Sequence, residues 1–366
     1  MPTFSAITRV CMTAALCSIT ALSFADMTVN VGGRVHLDAA LYDEDVTELG
    51  SGTEFRRLRL FASGNIDDNW KYKVNLDFAD GEADVKDAYV AYTGLNIGTL
   101  KIGHFKGPFS LEEMDSSKYI TFMERASNAI FVPGRRVGVG IENAVGNNTY
   151  ALSIFGDSAG DNGGDEGIGI GGRFTTAPKL SDTRFAHFGV AFAYEEPAET
   201  GGDGTVRFRS RPESHVTSTR LVDGGTIADV SNLVRVGVEA AYASGGFSAQ
   251  SEYMRVSVDA AATDVDYDGF YIYASYFPWG GSRPYKKGVF QRVKAYNKWE
   301  FAVRYSTLDL DDTGGGTQDN ITFGVNYYVN PYLRFMTNYT LVDVEGGING
   351  DEDPSILQMR VSFDFK

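Results

Sequence analysis

The sequence predicts an all-β fold: a transmembrane antiparallel β-barrel of about sixteen strands with long extracellular loops. Three observations carry the prediction. Apolar and polar residues alternate in segment after segment, and the connections between segments alternate between short and long. Beyond residue 25 no stretch is apolar for the roughly 18 residues that a spanning helix needs.

The alternation is plainest in four segments. Trp70, Tyr72, Val74, Leu76 and Phe78 alternate with Lys71, Lys73, Asn75 and Asp77. In 233–242 the apolar series is Val234, Val236, Val238, Ala240 and Tyr242; in 319–329 it is Ile321, Phe323, Val325, Tyr327 and Val329; in 356–365 it is Leu357, Met359, Val361, Phe363 and Phe365. A period of two gives each strand one apolar and one polar face. Strands are expected near 28–41, 54–66, 70–79, 84–93, 98–105, 135–142, 149–156, 166–175, 184–194, 232–242, 247–257, 268–277, 298–308, 319–329, 332–343 and 355–366. Tight turns such as Asp67-Asp68-Asn69, Ser244-Gly245-Gly246 and Asn330-Pro331 face longer, mostly polar or acidic loops at 42–53, 106–134, 157–165, 195–231, 258–267, 309–318 and 344–354. Residues 278–297 break the pattern, being a long connection on the short side. A soluble sandwich or propeller would have to bury the apolar faces against each other, and no repeat period or linker supports one.

Residues 1–25 differ from the rest. Arg9 precedes an uncharged, mainly apolar run, Val10 to Leu22, and Ser23-Phe24-Ala25 places small residues before a cut. This is the pattern of a cleavable secretory signal, leaving 26–366 as the barrel domain. Both cysteines, Cys11 and Cys17, lie in the leader. The remainder has no thiol for disulfides, zinc sites or nucleophilic catalysis. Loss of Arg9 takes the net charge from −15 to −16, which argues against nucleic-acid binding. The four histidines show no ligand spacing, no serine elbow or phosphate-cradling glycine loop is present, and no cofactor or metal is expected.

The stretch Gly103-His104-Phe105-Lys106-Gly107-Pro108-Phe109-Ser110-Leu111-Glu112, continuing through Ser116-Ser117-Lys118-Tyr119-Ile120-Thr121-Phe122-Met123-Glu124-Arg125, resembles the phosphate-selective porin family of O and P type. So do Glu54-Phe55-Arg56-Arg57-Leu58-Arg59, Arg283-Pro284-Tyr285-Lys286-Lys287-Gly288 and Gln318-Asp319-Asn320. The resemblance covers most of 30–366. It implies a sixteen-stranded barrel in the bacterial outer membrane, a homotrimer in contact with outer-membrane lipids, uptake of phosphate, polyphosphate or other small anions, and a third loop folded into the pore.

The residues by themselves support part of this. Strand parity aims Arg34, Arg57, Arg59, Lys71, Lys73, Lys101, Arg235, Arg304 and Arg334 at the lumen, along with the acids Asp38, Asp77, Glu239, Glu252 and Glu300. Any water-filled lumen is polar, so each of these residues is equally well read as plain lumen lining. Loop 106–134 carries Phe109, Leu111, Tyr119, Ile120, Phe122, Met123, Ile130, Phe131 and Val132, too apolar for an exposed connection. It is expected to fold into the lumen and pack Phe109, Leu111, Phe122 and Met123 on the wall. The candidate anion-binding set is Arg34, Arg57, Arg59, Lys106, Lys118, Arg125, Arg135 and Arg136, because guanidinium forks match phosphate oxygens and cations in a narrow pore select anions. Of Arg135 and Arg136, one is expected to face the pore. Arg125 and its neighbours could instead pair with Glu112, Glu113 and Glu124 to lock the loop, and both readings stand. Arg207, Arg209, Arg211 and Arg220 form a second basic cluster in loop 195–231.

The expected function is a passive diffusion channel for small hydrophilic solutes with a preference for anions. A general or cation-tolerant channel is the first alternative. A barrel enzyme, or an adhesin without an open pore, is the second; no nucleophile–base pair stands out for an enzyme.

Overall fold

The structure is a computed structural model, and it describes residues 27–160, 166–181, 183–197 and 204–366. The proposed leader and its cleavage point lie outside the described residues. Sixteen strands form the barrel: β1 (Asn30–Asp43), β2 (Gly52–Asn65), β3 (Trp70–Asp77), β4 (Asp84–Leu95), β5 (Gly98–Lys106), β6 (Arg135–Val145), β7 (Asn148–Phe155), β8 (Ile168–Thr176), β9 (Arg184–Glu196), β10 (Val230–Ser244), β11 (Phe247–Ala260), β12 (Val265–Tyr276), β13 (Lys298–Asp309), β14 (Thr317–Asn330), β15 (Leu333–Gly347) and β16 (Ser355–Phe365). Each strand pairs antiparallel with the next, and β16 pairs with β1 (Arg34 opposite Asp364, Leu37 opposite Val361), so the sheet has no edge. The sequence-based spans agree with these to within a few residues. Among the described residues no helix is long and apolar enough to cross a membrane.

The period of two does what it requires. Leu37, Leu60, Val74, Phe188, Val190, Val236, Phe323, Val361 and Phe363 stand exposed on the outer face, where lipid covers them. Their neighbours turn inward and are buried: His36, Asp38, Asn75, Asp77, Arg235, Glu239, Arg360 and Ser362 among them.

Two β-bulges alter this parity beside the pore. The β1–β2 register shifts between His36/Arg57 and Leu37/Phe55, which leaves Arg56 as the extra residue. The β3–β4 register shifts in the same way and leaves Lys86 unpaired. A bulge lets two consecutive side chains serve the same face. Glu54 and Arg56 therefore contact the lumenal loops, as do Arg57 and Phe61 beyond the bulge.

Three connections fill much of the interior. Loop 107–134 enters with a short helix, α1 (Leu111–Met114), and a 3-10 turn at Ser127–Phe131. Residues 204–229 form a hairpin, Val206–Ser210 with Val222–Ile227, whose far end drops into the lumen. From the short-turn side, 277–297 folds back inside with a two-residue-per-arm hairpin, Tyr285–Lys286 with Val289–Phe290. The main apolar cluster lies where the first two of these loops meet the wall: Phe109, Phe131, Phe208, Leu221, Val256, Tyr267, Leu308 and Val344 pack together.

Candidate functional site: a basic constriction beside the inward loop

Loop 107–134 is held down by burial first. Phe109, Leu111, Phe122, Met123 and Phe131 are all 0–1% exposed. Each such side chain contributes about 1.5–3 kcal/mol relative to exposure. The wall makes room with glycine. A Cβ at Gly237 would lie 3.1 Å from Phe109, and one at Gly324 would lie 3.1 Å from Phe122. Phe122 also meets Tyr273 edge-on, with ring centroids 5.5 Å apart, and sits under the Arg304 guanidinium at 4.5 Å.

Hydrogen bonds then fix the loop backbone. Arg283 donates to the Tyr119 carbonyl (2.9 Å), Arg334 to Ile120 (2.9 Å), Asn326 to Thr121 (2.9 Å), Arg360 to Met123, and Arg304 to Glu124 (3.0 Å). Most are charge-assisted bonds in a low-dielectric interior, which makes the segment rigid. Arg304 and Arg334, read from parity as lumenal, are thus loop anchors.

The loop narrows the lumen against β1–β6. There a cavity of ≈ 240 Å³ is lined by Arg34, Arg57, Arg59, Lys73, Lys101, Lys106, Arg125 and Arg135, against two carboxylates among the described residues, Asp87 and Glu142. Tyr89, Phe105, Ser116 and Ser117 complete much of its wall. The cations have unequal partners. Arg59 pairs with Asp77 at 2.6 Å, Lys73 and Arg135 share Asp87 at 2.7 and 2.9 Å, and Lys101 reaches Glu142 at 2.6 Å. Arg57 lies 3.6 Å from Glu124, whose carboxylate is forked by Arg56. Arg34 donates to the Ser117 hydroxyl and, among the described residues, has no carboxylate at ion-pair distance.

Six of the eight sequence candidates line this cavity, and two do not. Lys118 points past it to Asp364, 3.7 Å away, between the rings of Phe61 and Tyr119. Arg136 is directed across the lumen to Glu195 at 3.6 Å, where Arg235 also binds. Of the two neighbours Arg135 and Arg136, Arg135 lines the cavity, while both side chains turn inward. Arg135 sits at the first position of β6, where the chain leaves the loop, so its side chain reaches Asp87 while Arg136 follows strand parity.

Arg125 belongs to both of its readings. Its Nε donates to the Glu112 carbonyl (2.9 Å) and its Nη2 to the carbonyls of Glu113 and Asp115 (3.3 Å each), with the Glu113 carboxylate 3.1 Å away. Burial opposes the Glu113 charge, but Arg125 and Lys106 beside it hold the carboxyl below its ordinary range. Burial pushes Asp115 up and Lys118 down.

Two further basic spaces flank the constriction. On the long-loop side a cavity of ≈ 290 Å³ is lined by Arg56, Arg125, Arg209, Arg211, Arg220 and His215, with Glu113, Glu124 and Glu213. On the short-turn side a cavity of ≈ 960 Å³ is lined by Lys179, Arg184, Arg283, Lys286 and Lys287, with no carboxylate among the described residues. It begins on β6 and β7 where the lining of the constriction ends. Arg56, Lys73 and Lys101 were absent from the candidate set. Lys73 and Lys101 were visible as lumenal by parity. The signal for Arg56 is the Arg56-Arg57 doublet, which interrupts the alternation at the bulge.

Comparison with known proteins agrees with this architecture. A family model described as phosphate-selective porin O and P matches residues 29–365. An uncharacterised protein of Caulobacter vibrioides is 31% identical, covering 93% of this chain and 74% of its own length. Porin O of Pseudomonas aeruginosa is 28% identical, covering 93% and 89%. Among solved structures, an anion-selective porin from Comamonas acidovorans superposes with a TM-score of 0.63 at 13% identity, covering 93% of this chain and all of that one. The trimer form of OmpT, an outer-membrane protein of Vibrio cholerae, gives 0.60 at 12%, with coverage of 93% and 100%.

Proposed function

Because the chain belongs to the phosphate-selective porin O and P family of outer-membrane channels, we propose that it is a passive channel whose constriction selects small oxyanions, phosphate and short polyphosphates foremost. The observation that carries this reading is the lining of the cavity beside the inward loop: among the described residues, eight cations against two carboxylates. A solute anion enters past Arg56, Arg209 and Arg220, passes Arg34, Arg57 and Arg59, and leaves by the cavity of Lys179, Arg184, Lys286 and Lys287. Local charge decides selectivity, because at physiological salt the Debye length is about 8 Å and the acidic outer loops are screened. Ion pairing within the wall moderates most of these cations, so binding stays weak enough for release. Arg34, unpaired by any carboxylate among the described residues, is the cation most available to a passing anion. The Porin O relative and the anion-selective structural neighbour support the same reading, and the trimeric neighbour supports assembly as a homotrimer.

The test is the reversal potential of the purified channel in a potassium chloride gradient, followed by titration with phosphate. Anion preference with block of chloride current by phosphate is expected. A potential of the opposite sign makes the protein a general or cation-preferring porin.

A further inference from the structure

Glu252 on β11 is a lumenal carboxylate that lines none of the three basic spaces described above. It is 2% exposed, and among the described residues no cation lies at ion-pair distance from it. Two acidic neighbours, Glu239 directly opposite on strand β10 and Glu112 on the loop, have its own sign. A buried carboxylate in that setting needs other compensation. It has it: one oxygen accepts from the Leu111 N–H at 2.9 Å, the other from the Glu112 N–H at 2.7 Å, and Tyr271 adds its hydroxyl.

These two N–H groups begin α1. At its other end the Glu113 and Asp115 carbonyls, with that of Glu112, receive Arg125, and Lys106 donates to Glu113 and Asp115. Both cations line the constriction. One rigid turn of helix therefore connects a carboxylate on the far wall to two cations at the pore.

We infer that Glu252 is a positioning residue for conduction: its grip on the loop backbone sets where Arg125 and Lys106 stand. This rests on the anion-channel reading but adds a residue that touches no solute. The carboxylate is suited to the task because it offers two acceptors side by side. A glutamine offers one, and its amide nitrogen would face the second N–H, donor against donor.

The experiment uses the full-length channel in planar bilayers. Glu252→Gln should at least halve the anion/cation permeability ratio and raise open-channel current noise. In an Arg125→Ala background the same substitution should change the ratio less, because only the part carried by Lys106 is left. Tyr271→Phe, which leaves the loop N–H pair in place, should shift ratio and noise in the same direction by less, and it serves if the glutamine variant does not assemble. An unchanged ratio and noise in either variant, or an effect that persists in full in the Arg125→Ala background, overturns the inference. If the unsubstituted channel has no anion preference, the functional reading fails by itself, and the noise of the variants still tests the grip on the loop.

Discussion

Arg59 on β2 and Arg304 on β13 are both lumenal arginines placed by the same alternation, yet they face different surroundings. Arg59 pairs with Asp77 on the adjacent strand and lines an open cavity. Arg304 is 1% exposed; it donates to the Glu124 carbonyl, binds the Glu213 carboxylate and covers Phe122. The contrast extends to the two halves of the barrel. On β1–β6 the basic side chains border water-accessible space. On β13–β16, Arg304, Arg334 and Arg360 have carbonyls of the inward loop as acceptors. Lumen cations thus divide by whether loop carbonyls accept from them, and Lys106 on β5, which lines the cavity while donating to the Glu113 and Asp115 carbonyls, is of both kinds.

The largest effect should come from removing what separates the halves. Deleting residues 109–131 exposes the β13–β16 arginines to solvent and should raise single-channel conductance several-fold. Conductance at the level of the full chain would mean that the loop does not limit the pore.

Next come the cations of the open half. Replacing Arg34, Arg57 and Arg59 together with alanine should lower the anion/cation permeability ratio about tenfold, the equivalent of roughly 1.4 kcal/mol between the two ions. A ratio that does not fall would assign the cluster to structure alone.

A smaller and different change is expected in the closed half. Arg334→Met removes the donor to the Ile120 carbonyl in a buried site, a loss of about 1–3 kcal/mol for the orphaned acceptor. Current noise should rise and heat stability fall, with less change in the anion/cation ratio than the triple alanine variant shows. A selectivity loss as large as that of the open-half variant would erase the distinction between the halves.

The smallest effect concerns pH. Burial, aided by Arg34 and Arg292, lowers the Lys118 ammonium below the ordinary lysine range, while Asp364 works against the shift. Its charge is therefore lost at a lower pH than that of an exposed lysine, near 10.4. Anion preference should decline on the alkaline side of neutrality by a small step that Lys118→Met abolishes. Superimposable pH profiles for the two proteins would remove Lys118 from the conducting path.

Much of the fold was legible because a membrane barrel writes its geometry into the chain. The period of two follows from the pleat, and the short and long connections follow from the two sides of the membrane. The inward course of 107–134 was legible for a related reason: Phe109, Leu111, Phe122 and Met123 need an apolar surface, and the lumen wall supplies one opposite Gly237 and Gly324. The site was legible only in outline. Parity gave Arg34, Arg57 and Arg59 their face, and composition gave the loop its cations.

The sequence by itself determined the strands and the face of most charged residues, since each depends on neighbours one or two positions away. The tertiary structure alone decided which lumen cations meet solvent. That choice depends on contacts between residues far apart in the chain: Arg360 with Met123, Arg283 with Tyr119, Glu252 with Leu111. It also decided the β1–β2 bulge that brings Arg56 inward and the course of 277–297, whose Phe290 N–H meets Asp115 of the opposite loop at 2.8 Å. Local alternation sets the face of a side chain, but only the packing of distant loops sets what that side chain touches.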